Sequence, residues 1–451
     1  MSDWKIYKLG ECGIFREGYV NPKRTVEEFF GGNVKWLRAT DLNDNFIFDT
    51  SQTLSEIGFQ SAGKSSILFK PNTIAVSKSG TIGRIGILQD YMCANRAIIN
   101  IEVDKNKFDY RFIFYMLLVN RKDIENLAEG SVQKNLYISN LSKLEFLAPD
   151  LELQIKIANT LNNLDNKIRY NTQTNQTLEQ IAQAIFKSWF IDFEPVKAKA
   201  QAIRNGKTEA EIRLATMQAI SGKTPQELTA LPPEQYHPLQ QLADAMPSEI
   251  GEDGVPRGGE IVTLKECCNK IQNGGTPKRS NLPFWENGTI PWLSSGEVCN
   301  NPILVSSKEF ITELGLQNSS AKLVKENSTL IALYASPTAG KCSFCAFETT
   351  SNQAVCSLEP KEYFRYFNYY YLKNKEEYFA NQAVGSAQQN ISKGIVENTE
   401  IFKPNIEILK YFDSCISSIM DKQVCNLREN ILLSKTRDEL LPKLLNGEVE
   451  V

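Results

Sequence analysis

From Ile157 onward the apolar residues fall into a single stripe. Ile157, Leu161, Leu164, Ile168, Asn171, Asn175, Leu178, Ala182, Ile185 and Trp189 are spaced by alternating fours and threes, the heptad spacing that keeps one seam of a helix against a partner. Phe412, Ile416, Ile419, Gln423, Asn426, Asn430, Leu433, Arg437, Leu440 and Leu444 repeat the stripe about 255 residues later, both asparagines included. The pattern predicts two long helices, the first from about residue 152 to 190, roughly 57 Å at 1.5 Å per residue. Each seam needs a partner, and the other half's helix is the simplest one. A parallel pair would also align the asparagines. Duplication favours an antiparallel pair, because copies related by a pseudo-two-fold axis offer each other the same surface. In that pair Asn171 and Asn175 meet Asn430 and Asn426, and buried amides there set register at some cost in stability. The plainer reading is that these amides loosen the seam or face a third helix.

The segment ahead of each helix is mixed. Asn72–Ser77 and Ser328–Leu333 are short β-type runs followed by turns rich in glycine and proline. Residues 108–120 and 363–374 read as short aromatic helices, and Pro149 and Pro404 precede the long ones. The echo covers the mixed segments too. Leu9-Gly-Glu-Cys12 returns as Leu264-Lys-Glu-Cys267, Trp36-Leu37 as Trp292-Leu293, and Gly130-Ser-Val-Gln133 as Gly385-Ser-Ala-Gln388. A period this long means a duplicated domain, not a solenoid. The expected fold class is α+β: two similar mixed α/β domains separated by two long helices that form an antiparallel coiled coil. The boundaries are 1–150 and 260–405 for the domains, 151–195 and 406–451 for the helices, and 196–259 for a helical spacer. In the spacer, Glu209–Ile220 reads as a helix, and Thr224-Pro-Gln-Glu227 as a helix start with a capping box. Ala230–Gly259 reads as a linker.

Composition excludes more than it identifies. Apolar content of 42% and charged content of 23% are ordinary globular values. Neither a long apolar run nor a basic–apolar leader is evident, so a cytoplasmic protein with no membrane partner is expected. Ten cysteines without regular spacing suit a reducing compartment. The net charge of −3 opposes unaided tight DNA binding, since neutralised phosphates supply most non-specific affinity. Catalytic signatures are missing. The single histidine, His237, sits in a proline-flanked stretch and reads as surface loop, which leaves no Ser–His or Cys–His machinery. Cys342-Ser-Phe-Cys345 has no second pair for a zinc site and reads as strand. Gly80-Thr-Ile-Gly83-Arg-Ile-Gly86 lacks dinucleotide-binding and P-loop spacing and reads as a turn between strands. The chain is expected to catalyse nothing and to have no metal site.

What recurs instead is polar loops. Lys78, Ser79, Thr81 and Arg84 share one turn, Asn95 and Arg96 a second, and Ser131, Gln133, Lys134 and Asn135 a third. The matching places hold Tyr334, Ser336, Thr338 and Lys341, then Asn352 and Gln353, then Ser386, Gln388, Gln389 and Asn390, with Thr276 and Lys278 in a further loop. Arginine and lysine read guanine and Asn/Gln read adenine in the major groove, while hydroxyls and backbone N–H groups hold phosphates. Any one such cluster could be ordinary solvated loop. Recurrence at one offset argues for use.

Gly274-Gly-Thr-Pro277, Ile290-Pro-Trp-Leu293, Lys78-Ser-Gly-Thr-Ile-Gly83, Asn352-Gln353, the two Gly-Ser-x-Gln turns, Pro149–Ala158 and Ile185–Pro195 occur in an order that resembles the DNA-specificity subunit of type I restriction–modification systems. The likeness covers essentially the whole length. It departs at Arg96, where the family has glutamine, and at Leu153, where a Glu-Gln pair keeps only Gln154. Asn405-Ile-Glu-Ile408 and Ser336-Pro-Thr-Ala-Gly340 are altered as well. The resemblance implies two target-recognition domains, each reading half of a bipartite, asymmetric double-stranded DNA site, with the coiled coil as a ruler. It implies two methyltransferase subunits and restriction/translocase subunits as partners. S-adenosylmethionine, ATP and Mg²⁺ would then be bound by those partners and no cofactor by this chain. Two rival classes are a protein-binding scaffold, which leaves the paired polar loops unexplained, and a divergent nuclease or methyltransferase, which lacks its motifs.

Overall fold

A computed structural model describes residues 4–130, 134–252, 254–334, 338–383 and 390–449. It comprises two compact units, residues 1–170 with 430–451 and residues 171–429, so both long helices are shared between them.

The first unit is built on a five-stranded sheet in the order Gly13–Glu17, Ile98–Val103, Ile74–Ser77, Ile85–Leu88, Asn45–Ile47, antiparallel except for the last pair. Ile74–Ser77 and Ile85–Leu88 are buried throughout, which is why they read as continuous apolar runs with no alternation. The helix Tyr110–Val119 contributes Phe112, Ile113, Tyr115 and Met116 to the core beneath them, and its N-terminus is capped by the Asp109 carboxylate, which accepts the Arg111 and Phe112 N–H groups. A three-stranded sheet of Thr53–Leu54, Phe30–Leu37 and Cys93–Ala94 and a ribbon pairing Lys5–Lys8 with Glu145–Ala148 complete the unit.

The second unit repeats this plan strand for strand. Its five-stranded sheet runs Cys268–Asn273, Val355–Pro360, Ser328–Ala332, Cys342–Cys345, Ile303–Leu304, beside the three-stranded set Glu309–Ile311, Ile290–Leu293, Thr350–Ser351 and the ribbon Glu260–Thr263 with Glu400–Lys403. Cys342 and Cys345 are buried strand residues, the reading favoured by the lack of a second ligand pair.

The long helices span Leu151–Phe190 and Ile406–Leu445. Their pairing is antiparallel within each unit. In the second, Asn171 Nδ2 donates to Glu429 at 2.7 Å, and Asn426 Nδ2 to Asn175 Oδ1 at 2.8 Å. Asn175 and Gln423 exchange side-chain-to-carbonyl bonds, both at 3.1 Å. In the first, Asn430 reaches the Ile168 carbonyl at 3.4 Å and Arg437 reaches Asp165 at 2.7 Å. The expected Asn175–Asn426 pair forms.

Each sheet domain is bolted to the helices by matching surfaces. Ile157, Ala158, Leu161, Leu441, Leu444 and Leu445 enter the first core. Phe412, Ile416, Phe186, Trp189 and Phe190 enter the second at equivalent positions. A buried tyrosine adds a polar pin in both. Tyr115 donates to Asp165 at 2.6 Å and Tyr370 to Glu179 at 3.2 Å, with Arg437 and Lys373 neutralising the two carboxylates. Burial, then the adjacent carboxylate, pushes both phenols well above their ordinary range. Gln154 is also turned inward, accepting the Asp109 N–H at 3.1 Å and donating to Pro149 O at 2.9 Å, so it clamps the helix start to its domain.

Three expectations are corrected. The first long helix stops at Phe190, short of residue 195, because Phe193 takes a left-handed φ of 53° and a new helix opens at Glu194 with Pro195 in its first turn. The stretch from Ala230 is no linker as far as Met246. Helices Glu194–Arg204, Glu209–Ser221, Pro225–Thr229 and Pro233–Ala245 pack together, and Met217, Leu228, Leu239, Leu242 and Met246 join the core that holds Trp189. His237 is accordingly an exposed helix residue and not part of a loop. The prolines misled: Pro233 starts the helix, where its missing N–H costs nothing.

Candidate nucleic-acid interface

The turn between Ile74–Ser77 and Ile85–Leu88 is shaped by Ser77. Its Oγ donates to the Thr81 carbonyl and accepts the Arg84 N–H at 2.9 Å, while Gly83 N–H reaches Ser77 O at 3.1 Å. Gly80 and Gly83 have φ of 76° and 81°, a region open to glycine. The tight turn leaves Thr81 and Arg84 exposed. Arg84, Lys134 and Arg121 line an open cleft of about 660 Å³ with Gly80, Thr81, Ile82 and Glu125. Arg121 is paired with Asp44. Arg84 and Lys134 make no ion pair among the described residues, which leaves two uncompensated cations on this rim.

Lys78, in the same turn, is ion-paired. Its ammonium lies 2.7 Å from Glu17, with both side chains largely buried, and its carbonyl accepts Leu136 N–H. It braces the turn, with Ser79 half-buried beside it. In the second unit Thr338 Oγ1 donates to Tyr334 O at 3.0 Å, and Lys341 is held by Glu376 at 2.8 Å, which raises its pKa. Tyr334 stays exposed.

Asn95 and Asn352 likewise serve the backbone. Each Oδ1 accepts the N–H two residues on, at 3.1 Å, and each N–H bonds the preceding tryptophan-bearing strand, at Leu37 O and Leu293 O. A glycine packs against each turn: a Cβ on Gly18 would fall 2.3 Å from Asn95 O, and one on Gly274 would fall 2.4 Å from Asn352 O. The residue each turn presents is the next one, and Arg96 and Gln353 are both exposed. Thr276 Oγ1 donates to Gln353 Oε1 at 2.5 Å, bringing together two residues 77 apart, and Lys278 is exposed on the same loop.

Asn135 exchanges backbone bonds with Glu129, and Leu136 and Ile391 N–H groups reach Lys78 O and Leu333 O. The third loop of each half is thereby delivered to the first, with Lys134 exposed and Asn390 half-buried. Ser131, Gln133, Ser336, Ser386, Gln388 and Gln389 lie outside the described residues.

Sequence reasoning passed over three places. Arg121 enters the cleft from a helix far from the turn. Lys23 and Arg24 follow Asn21-Pro22 on an exposed loop pinned by Val20, whose N–H reaches Ala94 O and whose carbonyl accepts Trp36 Nε1 at 2.8 Å. Arg279 follows Lys278, already a candidate, on the matching loop after Thr276-Pro277, where Gly275 O accepts Trp292 Nε1 at 3.1 Å. A Pro-Lys-Arg triplet in the same place of each half was the available signal. The edges so built carry guanidinium, ammonium and amide groups beside glycine-tight turns, chemistry suited to base edges and phosphates.

A family model described as the type I restriction modification DNA specificity domain matches residues 1–180 and 256–431. The chain belongs to the type I restriction–modification specificity-subunit family. It is 34% identical to the type I restriction enzyme HindI specificity subunit of Haemophilus influenzae, with 100% of both chains covered. It is 24% identical to the MjaIX specificity subunit of Methanocaldococcus jannaschii, over 100% of this chain and 94% of that one. The crystal structure of a type I S subunit from M. genitalium shares the fold, with a TM-score of 0.59 and 16% identity over 98% and 96% of the two chains. The two matched segments of this specificity subunit are the two halves of its internal repeat. No helix among its described residues is long and apolar enough to cross a membrane.

Proposed function

We propose that each sheet domain of this specificity subunit reads one half of a bipartite, asymmetric DNA site in the major groove, and that the paired helices set the gap between the halves. One observation carries the reading: the same frame is built twice with different residues on display. Glycine, asparagine turn and tryptophan-pinned Pro-Lys-Arg loop recur, while the side chain that the asparagine turn presents changes from Arg96 to Gln353. A common scaffold with different polar tips is what two different half-sites require.

The subunit itself transforms nothing in this reading. It directs two methyltransferase subunits and the restriction/translocase subunits, which bind S-adenosylmethionine, ATP and Mg²⁺. It works in the cytoplasm on double-stranded DNA, and those partners supply much of the phosphate neutralisation that a chain of net charge −3 lacks.

The test is adenine-methylation sequencing in a methylation-free bacterium that co-expresses the chain with its cognate methyltransferase, against the methyltransferase alone. A new motif of two short half-sites split by a fixed gap is expected. A stable complex that leaves the genome unmethylated would refute the reading. The protein-scaffold alternative separates by salt: DNA association should weaken steeply, with a log–log slope near −0.9 per phosphate neutralised.

A further inference from the structure

Arg279 of the second unit is held as few exposed arginines are. Its Nη1 and Nη2 donate to Glu309 Oε1 and Oε2 at 2.5 and 2.9 Å, an end-on fork. Its guanidinium lies 3.8 Å from the Trp285 ring centroid and 4.7 Å from that of Trp292, two rings packed edge to face at 5.2 Å. The loop beneath is pinned by both indoles, Trp285 Nε1 donating to Lys278 O at 3.3 Å and Trp292 Nε1 to Gly275 O at 3.1 Å. Even so, the side chain keeps 52% of its exposure.

We propose that Arg279 is a specificity-determining residue for the second half-site, reading a guanine through the side-on edge of its guanidinium. This rests on the DNA-recognition reading above. The chemistry follows from counting donors. A guanidinium has five N–H groups in a rigid plane, and the end-on pair to Glu309 uses two. Nε and the remaining N–H of one terminal nitrogen form a second parallel fork, which carries no partner among the described residues and matches guanine O6 and N7. Glu309 and the rings fix the plane of that fork before any DNA arrives. Little rotamer freedom is then left to lose on binding, and a base displaced by a fraction of an ångström is refused. Thr276, half-buried three residues before Arg279, holds the exposed Gln353, so amide and guanidinium readers sit on one loop cluster. The first unit lacks the device. Phe30 stands where Trp285 does, and Arg24 has no ion-pair partner among its described residues.

The test uses the whole complex of this chain with its methyltransferase. The methylated motif is sequenced for wild type, Arg279→Lys and Glu309→Gln, with thermal melting of each variant as the check on folding. Lysine keeps the charge but not the fork, so Arg279→Lys should lose preference for G at one position of the second half-site by roughly 5- to 150-fold and leave the first half-site intact. Glu309→Gln, which frees the guanidinium, should blur the same position and no other. A motif unchanged in every position of the second half-site, or one weakened evenly across both halves, overturns the proposal, the second result marking Arg279 as a loop brace or phosphate contact. Wild type without any bipartite motif would instead bring down the DNA-recognition reading and this inference with it.

Discussion

Arg437→Ala tests how the first sheet domain is fixed to the helices. The Asp165 side chain is 7% exposed and bonded to Tyr115 at 2.6 Å and to Arg437 at 2.7 Å, and the Arg437 side chain is 27% exposed. Removing the cation leaves a buried carboxylate with only the phenol. Breaking such a pair costs about 3–5 kcal/mol, and the partial exposure of Arg437 places this case near the lower figure. For a unit of about 190 residues, a loss near 3 kcal/mol lowers its melting transition by roughly 6–12 °C. The other half contains the matching control, since Met420 and Ala182 stand at the positions equivalent to Asp165 and Arg437. Tyr115→Phe/Asp165→Met/Arg437→Ala therefore copies an apolar solution and should return to within about 1 kcal/mol of wild type, because buried ion pairs replaced whole by apolar groups are often neutral. Scanning calorimetry of the full chain reads both. The reasoning fails if Arg437→Ala melts like wild type, or if the triple variant melts as low as the single one.

Asn175→Leu leaves the Asn426 amide without its partner in the seam and should cost about 1–3 kcal/mol in urea unfolding, whereas Asn175→Leu/Asn426→Leu should be close to neutral. Alkaline pH should unfold the chain. The Cys93 and Cys356 thiols are pushed up to about 12 by burial, and Tyr115, Tyr369 and Tyr370 lie above the usual phenol range for the same reason. Groups held protonated in the fold stabilise it fully below their unfolded pKa and lose that contribution as pH rises. Urea midpoints should hold to about pH 8.5, then fall, and steepen above about pH 10. Maleimide labelling of the native chain should mark Cys425, the exposed cysteine, and reach Cys12, Cys93, Cys345 and Cys356 only on unfolding. Arg96→Ala should weaken methylation set by the first half-site by about 1–3 kcal/mol, read as a changed motif in that half alone.

The long helices were legible because a heptad seam is a periodic signal that burial enforces at every turn, and the duplication was legible because both halves keep it. Individual polar side chains were not. Asn95 and Lys78 have the composition of base and phosphate contacts, yet one closes its own turn and the other pairs with Glu17, since an amide or ammonium beside a tight turn satisfies the backbone or a nearby carboxylate as readily as a ligand. Arg96 and Gln353, one residue on, are the tips those turns display. The spacer was misread because prolines at helix starts look like linker composition, and its core residues pack on Trp189, far from the pattern that would announce them. Asp165 and Glu179 could not be found by comparing the halves, because Met420 and Ser434, neither of them an acid, stand at their equivalents.

That last asymmetry limits what can be rebuilt from the parts. Tyr115 and Tyr370 are duplicates, yet both acceptors, Asp165 and Glu179, belong to the first long helix. Their counter-cations come from unrelated places, Arg437 on the second helix and Lys373 on the second sheet domain. A chimaera that moves the second domain into the first position finds an acceptor for its tyrosine at Asp165 but brings Lys373 into the place of Leu118, a residue packed against apolar core. Domain grafts cut at Pro149 and Pro404 therefore have to keep the first helix and replace the counter-charge together with the domain, because the duplicated joints have drifted into a fixed left and right hand.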